Sequence, residues 1–338
     1  MARPSIIAIG ASAGGVEALR FLASALPVTL SAPVLVVLHI GAHRSELPDL
    51  LNSAGSILAK HAEDGEVICP GQIYMAPPDR HMIVADGRLR LTRGPKENWA
   101  RPAIDPLFKS AAEAFGPNVV GVILTGRLND GTAGLFEIKR RGGVAVVQDP
   151  REAICSDMPS SAAAHVALDY CIPLSEIPKL LVELVDGKEA KDVAMANPLS
   201  QRNEQESEAT SAEHFDRPLT ITCPDCGGAL RKSETGSIVK FACHIGHTYT
   251  AEIMAMAQFE DMEKILRSAV RCLNERAEFC RLMAEDAPAA SPDHAAGWGA
   301  AHKQALDRAY QLRDFVEQSG ITPEPSRQPA LAEEVRKS

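Results

Sequence analysis

No stretch of eighteen or more consecutive apolar residues occurs in the 338-residue sequence, so no segment reads as a membrane-spanning helix. The opening MARPSIIAIGASAGG has neither a separate apolar run nor a small-residue cleavage site ahead of its first strand. A soluble, cytoplasmic protein is expected. Cysteine is sparse: eight are too few for a disulfide scaffold at this length. Cys69, Cys155 and Cys171 stand alone among apolar neighbours, whereas Cys223, Cys226 and Cys243 cluster with His244 and His247, the pattern of a reducing compartment and one metal site. An excess of positive charge is also missing. With 35 Lys and Arg against 44 Asp and Glu the net charge is -9, which argues against nucleic acid or an anionic membrane as partner. No internal repeat is visible. What is present is 45% apolar residues, enough for one full-sized core and a smaller module.

Residues 1–186 alternate strand and helix signals, the mark of an α/β domain with a doubly wound, mostly parallel sheet. SIIAIG ends in glycine and is followed by Val16, Leu19, Leu22 and Leu26 at helical spacing; VLVVLH, VVGVILTG and GVAVVQ are further buried strands. HMIVA-DG-RLRLT reads as a β-hairpin, which predicts a mixed sheet. A helix is expected over 106–115, capped by Asp105 and stopped at Gly116. Residues 187–218 are polar and read as a flexible linker. A compact Cys/His module over 219–250, an α-helical hairpin over 251–318 and a polar tail over 319–338 complete the chain.

Gly10-Ala11-Ser12-Ala13-Gly14-Gly15 joins the first strand to the first helix. Glycines let the chain turn sharply there and lift the Ser12 hydroxyl to a helix N-terminus, where the next amide can serve an oxyanion. The same kind of turn cradles phosphate, so nucleophile and nucleotide loop compete at this point. A dinucleotide site calls for an acidic residue at the end of the second strand; the second strand ends in His39, a general base in position to serve Ser12. Asp130, in the Arg127-Leu128-Asn129-Asp130-Gly131 loop after a buried strand, is the candidate that orients the imidazole. Its plain alternative is a helix cap or an Asn-Asp-Gly turn. Asp79 and Asp149 also follow strands, without a second supporting feature.

GASAGG, the strand ending VLH, Arg101-Pro102-Ala103-Ile104-Asp105, ILTG followed by NDG, and MPSSA at 158–162 keep an order and spacing that resembles the catalytic domain of the CheB protein-glutamate methylesterases. The resemblance covers nearly all of residues 4–185 and puts the family's serine, histidine and aspartate at Ser12, His39 and Asp130. It implies hydrolysis of glutamyl methyl esters on chemoreceptor helices with release of methanol, deamidation of glutamine as a second reaction, and no catalytic cofactor. The amide of Ala13 is one expected oxyanion donor. The family's second donor lies in a Thr-Gly-Met-Gly turn where this chain has Arg127 and Leu128, so Arg127 inherits that position and the glycine at 128 is lost. Familiar members carry a receiver domain ahead of the esterase. Here the esterase pattern starts at the first strand, so control is expected from a partner or from the C-terminal part rather than from an aspartyl phosphate in the chain.

Cys223-Pro-Asp-Cys226, sixteen residues, then Cys243-His244-Ile-Gly-His247 is the pattern of two metal knuckles. Cys223, Cys226, Cys243 and His247 are the expected ligands of a structural zinc, with His244 as rival for the fourth place. Phe259, Met262, Leu266, Ala269 and Leu273 form an apolar stripe with Cys280 in register, read as helical-hairpin packing. Three functions follow: an active methylesterase on chemoreceptor-like proteins, a weak or silent adaptor docking signalling proteins through its C-terminal module, and a carboxylesterase for small molecules.

Overall fold

The computed structural model describes residues 6–40, 45–186, 221–286 and 292–318. The chain divides into two compact units, Met1–Ala251 and Glu252–Ser338. In the first, β1 (Ile6–Ala11), α1 (Gly15–Ala25), β2 (Val34–Leu38), α2 (Leu47–Ala54), β3 (Leu58–His61) and β4 (Gln72–Met75) lead to a hairpin of β5 (His81–Ala85) and β6 (Arg88–Thr92). Then come α3 (Ile104–Phe115), β7 (Val119–Ile123), α4 (Thr132–Arg140), β8 (Val144–Gln148), α5 (Asp157–His165), β9 (Tyr170–Ile172) and α6 (Ile177–Asp186).

Seven strands in the order β3-β4-β2-β1-β7-β8-β9 form one sheet, and every neighbouring pair in it is parallel. Helices cover both faces, so strand side chains alternate between two cores. Ile7 and Ile9 of β1 pack with Leu19 and Leu22 of α1, Leu51 of α2 and Leu181 of α6; Ile6 and Ala8 pack with Phe108 of α3, Leu135 of α4 and Met158 of α5. The chain builds outward from β1 through β2 and then crosses to β7. The order reverses between β1 and β7, and the crevice beyond the carboxyl ends of such strands is where open α/β sheets bind their ligands.

The hairpin does not make the main sheet mixed; β5 and β6 form a separate two-stranded sheet, with β6 also bridged to Val67. Asp86 and Gly87 both take positive φ, 52° and 70°, which closes the two-residue turn. The outer edge of β5 is engaged by a helix rather than a strand, since Val84 N–H donates to Ser110 Oγ of α3 at 3.0 Å. Helix α3 also begins earlier than its sequence pattern, at Ile104, with Ala103 at the N-cap and Asp105 buried inside the first turn. The short strands β3, β4 and β9 carry too few residues to show a period.

A small antiparallel sheet, β10 (Leu230–Thr235), β11 (Ile238–Cys243) and β12 (Thr248–Thr250), carries the Cys/His knuckles within the first unit. The second unit consists of α7 (Ala251–Glu285) and α8 (Pro292–Gln318). They pack through buried Ala277, Cys280, Ala305 and Ala309, an edge-on contact of Phe279 with Trp298, and the His302 ring against the Ala277 carbonyl at 2.8 Å. The apolar stripe on α7 is less buried than its spacing predicts: Met262 is exposed and Phe259, Leu266, Ala269 and Leu273 are half-buried. The linker at 187–218 and the tail at 319–338 lie outside the described residues. Among those described, no helix is long and apolar enough to cross a membrane.

Candidate active site

Ser12, His39 and Asp130 stand at the carboxyl ends of three adjacent strands. β1 pairs with β2 in the register Ala11↔Leu38, so the next residues on the two chains are Ser12 and His39, and the His39 amide bonds the Ala11 carbonyl at 3.2 Å. On the other side of β1, β7 leads into the loop that holds Asp130. The half-exposed Ser12 sits in a turn whose left-handed residue is Gly14, φ 77°, at the N-cap of α1. Thr125 pins this turn: its carbonyl accepts from Ser12 N–H at 3.0 Å and its hydroxyl donates to the Ala13 carbonyl at 2.9 Å. Gly126 lets the adjoining loop come close, because a Cβ there would collide with Met158 Sδ and lie 2.9 Å from Ser12 Cβ.

His39 Nε2 lies 2.8 Å from Asp130 Oδ2, with the imidazole 21% exposed and the carboxylate 1% exposed. The carboxylate is saturated by donors. Oδ2 also accepts from Ile104 N–H at 2.6 Å; Oδ1 accepts from Asn98 Nδ2 at 2.8 Å, Gly131 N–H at 3.0 Å and Asp105 N–H at 3.3 Å. Ile104 and Asp105 are the first residues of α3, so Asp130 occupies the anion-favouring N-terminus of a helix other than the one it precedes. Burial acts to raise its pKa, but the His39 hydrogen bond and charge, the Ile104 amide and the Asn98 amide outweigh it and hold the carboxyl below the ordinary range. An anion at this position accepts Nε2–H, and that tautomer leaves Nδ1 as the lone-pair nitrogen of the ring. Among the described residues the Ser12 hydroxyl has no hydrogen-bond partner, and none engages the amides of Ala13 or Arg127.

The rival carboxylates are occupied elsewhere. Asp79 Oδ1 receives Arg101 Nη2 at 2.6 Å, and Asp149 Oδ2 receives Arg151 Nη2 at 2.6 Å. Arg127 is exposed, and Leu128 adopts φ 65°, the left-handed conformation that glycine takes without strain. Asp105 does not cap its helix; its Oδ1 accepts from Gly134 N–H at 2.8 Å and its Oδ2 from Asn98 Nδ2 at 3.2 Å. Sequence reasoning missed Asn98 and Thr125. Asn98 lies in an irregular loop with no periodic signal, although Asp105 belongs to the Arg101–Asp105 motif that bears the resemblance.

The second cluster also assembles as its spacing predicts. One donor atom from each of Cys223, Cys226, Cys243 and His247 lies within 4.8 Å of all the others. A tetrahedral zinc with ordinary bond lengths sets its sulfurs about 3.8 Å apart and sulfur to nitrogen about 3.5 Å. Here Cys226 and Cys243 Sγ are 3.6 Å apart, and His247 Nδ1 is 3.6 Å and 3.5 Å from Cys223 and Cys243 Sγ. His244 is exposed and packs against Gly228, outside the cluster. Cys69 and Cys171 are exposed rather than sheltered among apolar neighbours.

The family model for CheB methylesterase matches residues 7–181. A relative from Leptospira interrogans is 40% identical over 180 residues, which are 53% of this chain and 93% of that one. Proteins of Pyrococcus abyssi and Yersinia pestis named protein-glutamate methylesterase/protein-glutamine glutaminase are 39% and 40% identical, over 53% and 54% of this chain and 50% and 54% of theirs. The CheB methylesterase catalytic domain of Thermotoga maritima superposes with a TM-score of 0.52 at 35% identity, covering 54% of this chain and 100% of that one. On the family match and on the shared fold, the chain belongs to the CheB methylesterase family.

Proposed function

We propose that this protein is a serine esterase that hydrolyses glutamate methyl esters on chemoreceptor-type signalling proteins, with glutamine deamidation by the same groups. The observation that carries the reading is the His39 imidazole bound to the buried Asp130 carboxylate at the strand ends beside Ser12. Ser12 Oγ attacks the ester carbonyl while His39 Nδ1 takes its proton, and Asp130 holds the imidazolium. The amides of Ala13 and Arg127 receive the oxyanion. Collapse of the tetrahedral adduct expels methoxide, which leaves as methanol with the proton from Nδ1. Water then attacks the acyl-serine, giving its proton to the same nitrogen, and release of Ser12 yields the glutamate side chain. A glutamine substrate follows the same course with ammonia as leaving group.

The names of the relatives point to glutamate and glutamine side chains of a protein; methyl-accepting receptor helices as that protein are what the resemblance to the family implies. A cytoplasmic location suits the free cysteines, of which Cys69, Cys171, Cys226 and Cys272 are exposed. Cys223, Cys226, Cys243 and His247 would hold a structural zinc, which closes the two knuckles and takes no part in ester hydrolysis.

Methanol release from methylated receptor by wild type and by Ser12→Ala tests the reading. Release by wild type alone is expected; equal release by both refutes the mechanism. Fluorophosphonate labelling separates the classes. Folded protein unlabelled at Ser12 would exclude both the protein and small-molecule esterase readings and leave the adaptor.

A further inference from the structure

Lys240, on β11 of the Cys/His module, is 1% exposed, and its Nζ lies 3.3 Å from Asp105 Oδ2, itself 1% exposed. A lysine this deep carries a desolvation cost that an apolar residue of the same shape would avoid, so its partner explains its presence. The partner is one step from the catalytic carboxylate. Asn98 Nδ2 donates to Asp105 Oδ2 at 3.2 Å and to Asp130 Oδ1 at 2.8 Å, so one amide group joins two buried carboxylates. Two anions on one neutral donor repel each other. Lys240 balances one, and the imidazolium formed at His39 balances the other during the reaction.

The module holds the connecting loop by its backbone as well. Asn98 N–H donates to the Thr248 carbonyl at 2.8 Å and Thr248 N–H to the Lys96 carbonyl at 3.3 Å. Between Glu97 and Ala100, Asn98 and Trp99 take φ 48° and 65°, two successive left-handed residues that are not glycine. Such a turn persists only where its surroundings over-determine it, and β12 supplies that restraint. At the other side of Asp130, Thr250 Oγ1 donates to Asn129 Oδ1 at 2.9 Å. Lys240, Thr248 and Thr250 therefore converge from one small sheet on Asp105, Asn98 and Asn129, three residues around the aspartate.

We propose that Lys240 is a positioning residue of the esterase: through Asp105 and Asn98 it sets the place of the Asp130 carboxylate against His39, so the Cys/His module is a working part of the active site. The inference rests on the esterase reading above. Its electrostatic consequence involves the charged groups gathered here: Asp105, Asp130 and Glu97 on one side, Lys240, Lys109 and His39 on the other. Without Lys240 the Asp105 charge is unbalanced, and the field at the His39–Asp130 pair turns more negative.

The test uses the full chain with its zinc and follows fluorophosphonate labelling of Ser12 and ester hydrolysis against pH. Lys240→Met is expected to lower kcat about ten- to a hundredfold with little change in KM, as for a small misplacement of a catalytic group, and to move the acid limb of the rate profile to higher pH. Asp105→Asn added to Lys240→Met removes the unbalanced charge. With that charge gone the double variant is expected to regain the wild-type acid limb and part of the rate. A Lys240→Met protein with wild-type rates and acid limb overturns the proposal. So does one whose loss leaves the acid limb in place and is not relieved by Asp105→Asn. If Lys240→Met does not fold, Lys240→Gln is subjected to the same comparison. Wild type that fails to label would instead overturn the esterase reading itself.

Discussion

Replacing Asp130 by Asn separates the charge of this residue from its shape. The five donors on its two oxygens leave no position suited to an amide nitrogen. With the new NH2 at the Oδ1 site it confronts Asn98 Nδ2 and the amides of Gly131 and Asp105. At the Oδ2 site it confronts only Ile104 N–H and can donate to His39 Nε2, so this orientation is the better one. It costs stability and activity together. One buried amide loses its acceptor and the carboxylate hydrogen bonds lose their charge, about 2–3 kcal/mol. For a domain of this size that lowers the thermal midpoint by about 5–10 °C. The donated bond also forces the proton onto Nδ1, the nitrogen that must accept from Ser12. In a serine hydrolase with the wrong tautomer the expected fall in kcat is about ten-thousandfold. Labelling rates at Ser12, taken well below the melting range, measure the catalytic part, and a melting curve measures the other. Folded Asp130→Asn that labels within tenfold of wild type would refute the assignment of Asp130 and the tautomer with it.

Leu128→Gly is expected to stabilise the protein by about 1 kcal/mol, because the side chain at φ 65° is strained; a lower melting temperature than wild type would show that no strain is relieved there. Burial pushes His81 below the ordinary histidine range against the opposing Pro95 carbonyl and the Asp130 charge, so the folded state holds it neutral while the unfolded chain protonates near pH 6.5. Stability then falls as pH drops below about 6.5, by at most about 1.4 kcal/mol per pH unit, whereas the contribution of Asp130, whose pKa is lowered, is lost only in the more acid carboxylate range. Urea midpoints at pH 7.5 and 5.5 check this, and an equal drop in His81→Asn would contradict it. Purified protein should contain about one zinc per chain, lost in Cys223→Ser together with order in the 221–250 segment; metal-free wild type with that segment intact would count against the ligand set.

The structure ties the two parts of the first unit more closely than their different compositions suggest. The residues that fix Asp130 come from the start of α3, from the 97–100 turn and, through them, from β11 and β12. The sheet that carries the knuckles is thereby linked to the Asp130 carboxylate.

By itself the sequence determined the α/β layering, the Ser12 turn, His39 at the end of β2, Asp130 after β7 and the four Cys/His residues that gather at the knuckles. Each of these is a local signal: buried strands are short apolar runs, a glycine-rich turn needs its residues contiguous, and metal knuckles have fixed spacing. The parallel character of the whole sheet was not legible, because the hairpin signal shows that two strands pair but not what their outer edges meet. Nor were the roles of Asp105, Asn98 and Lys240. Asp105 reads as a cap from its neighbours alone, and no local signal singles out Asn98 or Lys240. Only the tertiary structure decides otherwise, since their partners lie 7 to 135 residues away in the chain and a buried charge is recognised by what it meets in space.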